Sequence, residues 1–476
     1  MAVHAAVVVA IAVRVIMMRP ATGVALAWLL LVALVPYLGA LAYFLIGERR
    51  IGQRRARAIG LLKAGYRRLS DLETRQALTD IDWPRHGHAA RGMDRLGRSV
   101  ADSPTVRGSS LEIFQDALDI LRRIARDVDG AQSSVLMEFY IWQEGGAGDE
   151  VLEAVIRAAR RGVPCRLLVD ALGARPWWRG GQPQRLRDAG VDLRPALPVG
   201  LLRSLVGRTD LRLHRKIVVV DAETAWTGSM NLVDPRFFKQ GAGVGEWVDA
   251  MVRVRGAAVS PLAATMIGDW ILETGAPSRE LVDAARLHRV TPEGTADIQV
   301  FASGPGETGD GLLQMLLTLV NAARQELVLT TPYLVPDDSL LRALRGAAGR
   351  GVAVRVIVPA RVDSVLTRYA SQSFFDDLLG AGVEIYRYRS GLLHTKSIEV
   401  DGEMSMFGTV NLDLRSLWLN YEVSLFVYDR AFAAGLRRLQ QSYIDGSDRL
   451  DAAGWRDRPF GRRLLSNALR LVSPLL

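Results

Sequence analysis

The chain has 476 residues, 49% of them hydrophobic, which is too long for one ordinary core and too apolar for a disordered polymer. Sixty Lys+Arg against 51 Asp+Glu leave a net charge of +9, which favours an anionic partner, either nucleic acid or an acidic membrane surface. The single cysteine, Cys165, excludes an internal disulfide and any cysteine-based metal cluster, and its setting in "GVPCRLLVD" reads as a buried strand.

Residues 1–47 hold two apolar runs, "AVHAAVVVAIAVRVIMM" and "ATGVALAWLLLVALVPYLGALAYFLIG", separated by Arg19 and Pro20. The second exceeds the roughly 20 residues a bilayer crossing needs, so it is expected to be a transmembrane helix. The first contains His4 and Arg14. It either spans as the other arm of a hairpin, with Arg14 snorkelling to the interface, or is re-entrant. A cleaved signal peptide fits poorly, because no basic stretch precedes the run and a second run follows at once. Arg49, Arg50, Arg54, Arg55 and Arg57 follow the second run, and the positive-inside rule then keeps the rest of the chain in the cytoplasm, with these arginines against anionic head groups. Residues 48–110 read as a basic juxtamembrane linker, including the "RHGH" of 85–88.

From residue 111 a helix, strand, helix, strand order appears twice, over 111–290 and 291–476. "LEAVIRAARRGVPCRLLVD" is matched by "LLRALRGAAGRGVAVRVIVP", and "LRDAGVDL" by "LLGAGVEI". Apolar residues at helical spacing followed by short β-branched runs indicate an α/β layer architecture, and the duplication indicates two tandem lobes about a pseudo-twofold axis. Gly190 and Gly382 of the AGV pairs lie 192 residues apart but the two motif histidines only 180, so the first half carries 12 more residues, within "PALPVGLLRSLVGRTDLRL". Residues 198–208 of that insertion are either a lipid-contacting lid or a packed loop. At the C-terminus, "GRRLLSNALRLVSPLL" reads as a helix either docked on the body or lying in a membrane interface.

The repeat carries a motif. His214 and His394 are each followed by a lysine at +2 (Lys216, Lys396), an aspartate at +7 (Asp221, Asp401), a hydroxyl at +15 (Ser229, Thr409) and an asparagine at +17 (Asn231, Asn411). Side chains at i and i+2 of an extended segment share a face, so each histidine emerges beside its lysine, an arrangement suited to an anion. If the halves pack face to face, the two sets form one phosphodiester site. Lys216 and Lys396 then supply positive charge, while Asn231, Asn411 and the hydroxyls of Ser229 and Thr409 contact the phosphate. One histidine attacks phosphorus and the other moves the proton. A histidine so used needs its other nitrogen held by a carboxylate. Glu422, 28 residues beyond His394, and Asp249 at the matching place in the first half are expected to serve, the alternative being surface ion pairs. Asp221 and Asp401 complete the catalytic motif but precede a turn that they are expected to fix. Glu138 of "LMEFYIW" is a weaker pocket candidate, with Thr331 as its repeat partner. No metal or other cofactor is expected, since the lysines take the charge and no His/Asp/Glu cluster has ligand spacing.

The doubled H-x-K-x4-D followed by G-S/T-x-N resembles the phospholipase D superfamily. The strings "GSMNLVDPRFFKQGAGVGEW" and "GLLHTKSIEVDGEMSMFGTVNLDLRSLWLNYE" look like bacterial cardiolipin synthases with two membrane segments. Thr409 stands where the superfamily usually has serine, and keeps the hydroxyl. The resemblance implies a multi-pass enzyme of the inner (plasma) membrane, with phosphatidylglycerol as donor and acceptor, an anionic lipid environment and no nucleic-acid partner. It also implies His214 as nucleophile and His394 as acid/base; the residues alone leave that order open. A membrane-bound hydrolase or nuclease of the same superfamily is the alternative.

Overall fold

The computed structural model describes residues 2–18, 22–35, 37–47, 79–87, 89–198, 210–276 and 291–471. The chain forms two compact units, one of residues 1–56 and 199–211, the other of 57–198 and 212–476. The arginines of the basic flank and residues 199–208 of the expected lid lie outside the described residues.

In the smaller unit, helix Ala2–Met18 packs on helix Thr22–Leu34, burying Ile11, Val15 and Val32 with Ala40 and Tyr43. The second apolar run is not one helix. It stops at Leu34, resumes as Leu38–Ala42 and ends in a π-helical turn, Tyr43–Gly47. In sequence the run contains Pro36, and proline lacks the N–H of a helix interior and disfavours helical backbone in the residue before it. Tyr37 takes a left-handed φ of 59°. Gly39 then passes so close to the preceding helix that a Cβ there would stand 2.5 Å from the Leu31 carbonyl oxygen. At 1.5 Å per residue the two longer helices reach about 25 Å and about 20 Å, short of a hydrocarbon core of about 30 Å. Among the described residues no helix is long and apolar enough to cross a membrane, so the expected hairpin of two transmembrane helices is not supported. Val9, Val13, Leu26, Leu30 and Leu34 nevertheless point outward from this unit.

The larger unit is a mixed α/β structure whose two lobes share one sheet. Strands Thr105–Phe114 and Ala296–Ser303 pair antiparallel at its centre. Outward from the first run Met251–Gly256, Thr224–Gly228, Ile217–Val220, Val135–Phe139, Cys165–Asp170 and Asp192–Ala196. Outward from the second run Asn420–Tyr428, Met404–Gly408, Ser397–Val400, Glu326–Thr330, Ala353–Pro359 and Glu384–Tyr388. The two series match strand for strand, as a duplicated sequence folded about a twofold axis requires. Val135–Phe139, Cys165–Asp170 and Asp192–Ala196, and likewise Glu326–Thr330, Ala353–Pro359 and Glu384–Tyr388, are parallel and linked by helices, the right setting for continuous apolar runs, while Ser447–Arg449 adds an antiparallel edge beyond Glu384–Tyr388.

Strand alternation distributes the core. Ile217 and Val219 face one layer, where Leu262, Met266 and Trp270 of helix Val259–Thr274 and Leu436 of helix Arg430–Asp445 cover both lobes. Val218 and Val220 face the opposite layer, against Ile120, Ile124 and Val151 of the first lobe's helices. The equivalent layer of the second lobe is built on Leu316, Leu344 and Phe374. Both faces of the motif strands are thus buried, so their position is strongly determined. Cys165 lies in this core, where burial pushes its thiol up to about 12.

Residues 79–110, expected as part of a linker, are instead integral. Helix Ala90–Ala101 packs Ala90 and Met93 into the second lobe's core, and Thr105–Phe114 is a central strand. His86 of "RHGH" lies 2.6 Å from Asp297 Oδ2. The C-terminal helix Phe460–Leu471 docks on helix Val365–Gly380 through Arg470, which pairs with Asp377 at 2.7 Å and covers the Phe374 ring. Phe460, Leu464, Leu465 and Leu471 remain exposed.

Candidate active site

Each H-x-K tripeptide joins a two-residue strand to a core strand. The short strand Arg212–Leu213 leaves its own lobe and pairs parallel with Asn420–Tyr421 of the other, and the His214 N–H donates to the Tyr421 carbonyl at 2.9 Å. Leu392–Leu393 pairs in the same way with Trp247–Val248, and the His394 N–H donates to the Val248 carbonyl at 2.8 Å. The residue after Tyr421 is Glu422 and the residue after Val248 is Asp249. This register therefore sets His214 Nδ1 2.8 Å from Glu422 Oε2 and His394 Nδ1 2.7 Å from Asp249 Oδ1. The pairs are crossed between lobes, each carboxylate facing the histidine of the other half rather than forming a surface ion pair.

The hydroxyls expected on phosphate stand behind these carboxylates. Ser229 Oγ donates to Asp249 Oδ1 at 2.6 Å and Thr409 Oγ1 to Glu422 Oε2 at 2.5 Å. Each in turn accepts a backbone N–H, from Ala250 at 3.0 Å and Val423 at 2.9 Å. Asn420 Nδ2 adds a third donor to Glu422 at 3.1 Å. Ser229 and Thr409 thus help to orient the histidines, one step removed from the place first expected.

Asp221 and Asp401 face away from the cavity. Asp221 accepts the backbone N–H groups of Gln132, Ser133 and Ser134 at 2.9, 2.6 and 2.9 Å, and Asp401 those of Arg324, Gln325 and Glu326 at 2.8, 2.9 and 2.8 Å. Both take left-handed φ values inside their own turns, and their carboxylates hold a distant segment rather than the turn they were expected to fix. Burial raises the Asp221 carboxyl, but these N–H donors outweigh it and hold it below the usual range. Both aspartates belong to the fold of the motif rather than to its chemistry.

His214, His394, Asn231 and Asn411 converge on one cavity of about 820 Å³. Asn231 Oδ1 accepts from the Ile141 N–H at 3.1 Å, whereas Asn411 Oδ1 is buried without a hydrogen-bond partner in the described structure. Lys216 and Lys396 lie fully buried under the histidines, each ammonium donating to the carbonyl of the histidine two residues before it. Tyr140 meets the His214 ring edge-on at 5.1 Å, and Trp247 tilts over His394 at 4.3 Å. Arg212 and Arg415 also enter the wall.

Burial governs the protonation of this site. It pulls both histidines down to about 4, against the opposing pull of their carboxylates, so the imidazoles are neutral near pH 7. With Nδ1–H donated to the carboxylate, Nε2 carries the lone pair. Burial likewise lowers Lys216 to about 8 and Lys396 to about 7. It raises Asp249 and Glu422, but the facing histidines and lysines prevail and hold both below the ordinary carboxylate value.

Sequence reasoning missed Tyr140, Trp247, Arg212, Arg415 and Arg215. The equivalent places of Tyr140 and Tyr333 in the repeat were a usable signal for the first. Arg215 is fully buried, paired with Asp269 and Glu307, and donates to the Glu422 carbonyl at 3.0 Å. Its counterpart Thr395 instead meets Tyr443 Oη at 2.9 Å. Glu138 does not line the cavity; it lies buried beside Asp269 and Arg215, and desolvation pushes its carboxyl well up.

A family model described as "Cardiolipin synthase, PLD-like domain" matches residues 124–241 and 316–443, each segment holding one H-x-K motif. The chain belongs to the cardiolipin synthase family. A second model, the phospholipase D-nuclease N-terminal segment, matches residues 6–48. Cardiolipin synthase A of Erwinia tasmaniensis is 44% identical over 467 residues, covering 97% of this chain and 95% of that one. The protein of the same name from Serratia proteamaculans is 43% identical over 464 residues, with the same coverage. Among solved structures, the phosphatidylserine synthase of Haemophilus influenzae Rd KW20 superposes with a TM-score of 0.61 over 81% of this chain and all of its own, at 16% identity, which shows the shared fold. Within this cardiolipin synthase family chain, Asp249 lies outside both matched PLD-like segments whereas Glu422 lies inside one.

Two expectations follow from the crossed geometry. Glu422→Gln should lower the imidazole pKa of His214 and leave that of His394 nearly in place, and Asp249→Asn should do the reverse, read by NMR of nitrogen-labelled histidines. A response within the same lobe would sink the crossed pairing. Asp221→Ala should cost roughly 1–3 kcal/mol of stability by orphaning backbone donors, read as a lower chemical-denaturation midpoint, with turnover per folded molecule changed less than about threefold.

Proposed function

We propose that this enzyme transfers a phosphatidyl group from one phosphatidylglycerol to the free glycerol hydroxyl of another, giving cardiolipin and glycerol. One observation carries the reading: two neutral imidazoles from opposite lobes, each fixed at Nδ1 by a carboxylate, share a cavity above two buried lysines. In the first step His214 Nε2 bonds to phosphorus, the P–O bond to glycerol breaks, and His394, protonated at Nε2 once the anionic substrate is bound, gives that proton to the departing oxygen. In the second, the acceptor hydroxyl gives its proton to His394, its oxygen bonds to phosphorus, and the P–N bond breaks. One phosphodiester replaces another, so no nucleotide is consumed. The order of the two histidines follows the superfamily resemblance.

Lys216, Lys396, Asn231 and Asn411 would stabilise the non-bridging oxygens of the pentacovalent transition state in a site closed to bulk water, where such charges act most strongly. The phosphodiester's own negative charge raises the pKa of the histidine that must hold a proton. Arg212 and Arg415 bring positive charge for a second phosphate into the same cavity, which suits an acceptor that is itself a phospholipid.

The acyl chains limit where the reaction takes place. At about 0.8 kcal/mol per methylene, moving two long chains into water would cost on the order of 20 kcal/mol. The chains must therefore stay in the bilayer while the head group enters. The outward apolar side chains of helices Ala2–Met18 and Thr22–Leu34 support membrane association. The placement that fits the basic flank is the inner membrane of a bacterial cell with the catalytic unit on the cytoplasmic side.

Purified enzyme in detergent with phosphatidylglycerol should release glycerol and cardiolipin in equal amounts, and phosphatidic acid without cardiolipin would overturn the reading. His214→Ala and His394→Ala should each lose at least about 10²-fold in rate, and label trapped by rapid quench should map to His214. In the free enzyme the lysines lose charge as pH rises through about 7 to 8, so kcat/KM should decline there. A bound anion raises the lysine pKa values, so the alkaline limb of kcat should lie higher. Coincident limbs at the ordinary lysine value would contradict the role given to burial.

A further inference from the structure

Among the described residues of the larger unit, eight large apolar side chains stand exposed, and four of them line the cavity or directly adjoin its lining residues in the chain. Leu172, 38% exposed, is itself a wall residue in the turn after strand Cys165–Asp170. Phe237, 58% exposed, precedes the wall residues Phe238 and Lys239, and its neighbour Phe238 is buried. Val365 and Leu366, 60% and 49% exposed, open helix Val365–Gly380 between the wall residues Ser364 and Thr367. Single exposed apolar residues need no explanation, but these come from three separate segments in both lobes and gather at one opening.

The same rim is basic. Arg175 and Arg179 flank the wall residues Pro176 and Trp177, and Arg361 stands near Ser364 with Nη1 3.4 Å from the Gly243 carbonyl. Arg236 adds a further guanidinium, paired with Asp234. The exposed acids nearby are Glu144, Glu150 and Glu246, against four arginines. Apolar tips interleaved with arginines are the composition of an interfacial surface, in which the tips enter the acyl boundary and the cations meet anionic head groups.

We infer that Leu172, Phe237, Val365 and Leu366, with Arg175, Arg179 and Arg361, form a docking rim that seats the cavity mouth on an anionic bilayer. The inference rests on the lipid-transfer reading and adds the surface through which the head group passes. The rim holds the opening flush with the membrane, so a head group rises into the cavity without its chains crossing water.

The test uses the full chain in proteoliposomes of phosphatidylglycerol and phosphatidylcholine, against dihexanoyl-phosphatidylglycerol below its micelle concentration. Phe237→Asp and Leu366→Asp, neither of which lines the cavity, should reduce cardiolipin formation from the bilayer at least tenfold and turnover of the monomeric lipid by no more than about twofold. Because Cys165 is buried, Val365→Cys can be labelled selectively with an environment-sensitive dye. Its emission should shift to the blue in the phosphatidylglycerol proteoliposomes and be quenched by lipid-borne quenchers. Equal losses on both substrates, no loss on either, or a dye that stays in water would overturn the rim. If wild-type enzyme makes no cardiolipin from either substrate, the transfer reading fails, and the dye still decides the rim.

Discussion

The site depends on the parallel pairing of two-residue strands across the lobe boundary. Arg212–Leu213 lies on Asn420–Tyr421, and Leu392–Leu393 on Trp247–Val248. Four short backbone segments thereby fix the relative position of two histidines and two carboxylates that a single lobe cannot bring together. Each lobe supplies a reactive imidazole and the group that orients its counterpart, so neither half is a site by itself. The continuous sheet, joined at Thr105–Phe114 and Ala296–Ser303, gives these contacts a rigid support.

Burying so much charge is costly, and the arrangement of partners shows how the cost is contained. Glu422 receives His214, Thr409 and Asn420, and Asp249 receives His394 and Ser229. These donors keep both carboxylates ionised in a setting that would otherwise protonate them. The lysines have fewer partners, and burial brings them close to neutrality. A site in this state suits an anion, because a bound phosphodiester would add to the negative charge that Asp249 and Glu422 already set against the lysines. The lobes are less alike behind the motif. The first places Arg215 among Asp269 and Glu307, the second Thr395 against Tyr443. A buried guanidinium requires carboxylates around it, and Asp269, Glu307 and Glu138 surround Arg215, whereas the second lobe sets Arg437 against Glu326 and Glu399.

Much of the fold was legible in local patterns. The duplicated helix and strand periods and the alternation that buries both faces of Ile217–Val220 follow from neighbours in sequence, whereas Asp221 and Asp401 grip backbone 75 to 89 residues upstream. Other readings failed for identifiable reasons. The apolar run after Arg19 looked like one span because hydropathy was read across Pro36, although proline is the residue that ends a helix. Residues 79–110 looked like a linker because their polar composition hid Met93 and the strand Thr105–Phe114, which needs a partner nearly 200 residues away. Ser229 and Thr409 were read as phosphate ligands because chemistry suggests hydroxyls for that task, whereas the nearest acceptor in space is a carboxylate.

The sequence by itself determined the duplicated set: His214, Lys216, His394, Lys396, the two asparagines and two carboxylates at matching offsets. It could do so because i, i+2 spacing on extended backbone and the repeat are both local properties. Only the tertiary structure decided that Glu422 serves His214 and Asp249 serves His394, that the hydroxyls face those carboxylates, and that burial sets the protonation of the whole cluster. Those outcomes depend on register between segments 145 to 208 residues apart and on the exclusion of water from the space between them, neither of which is a property of any one stretch of chain.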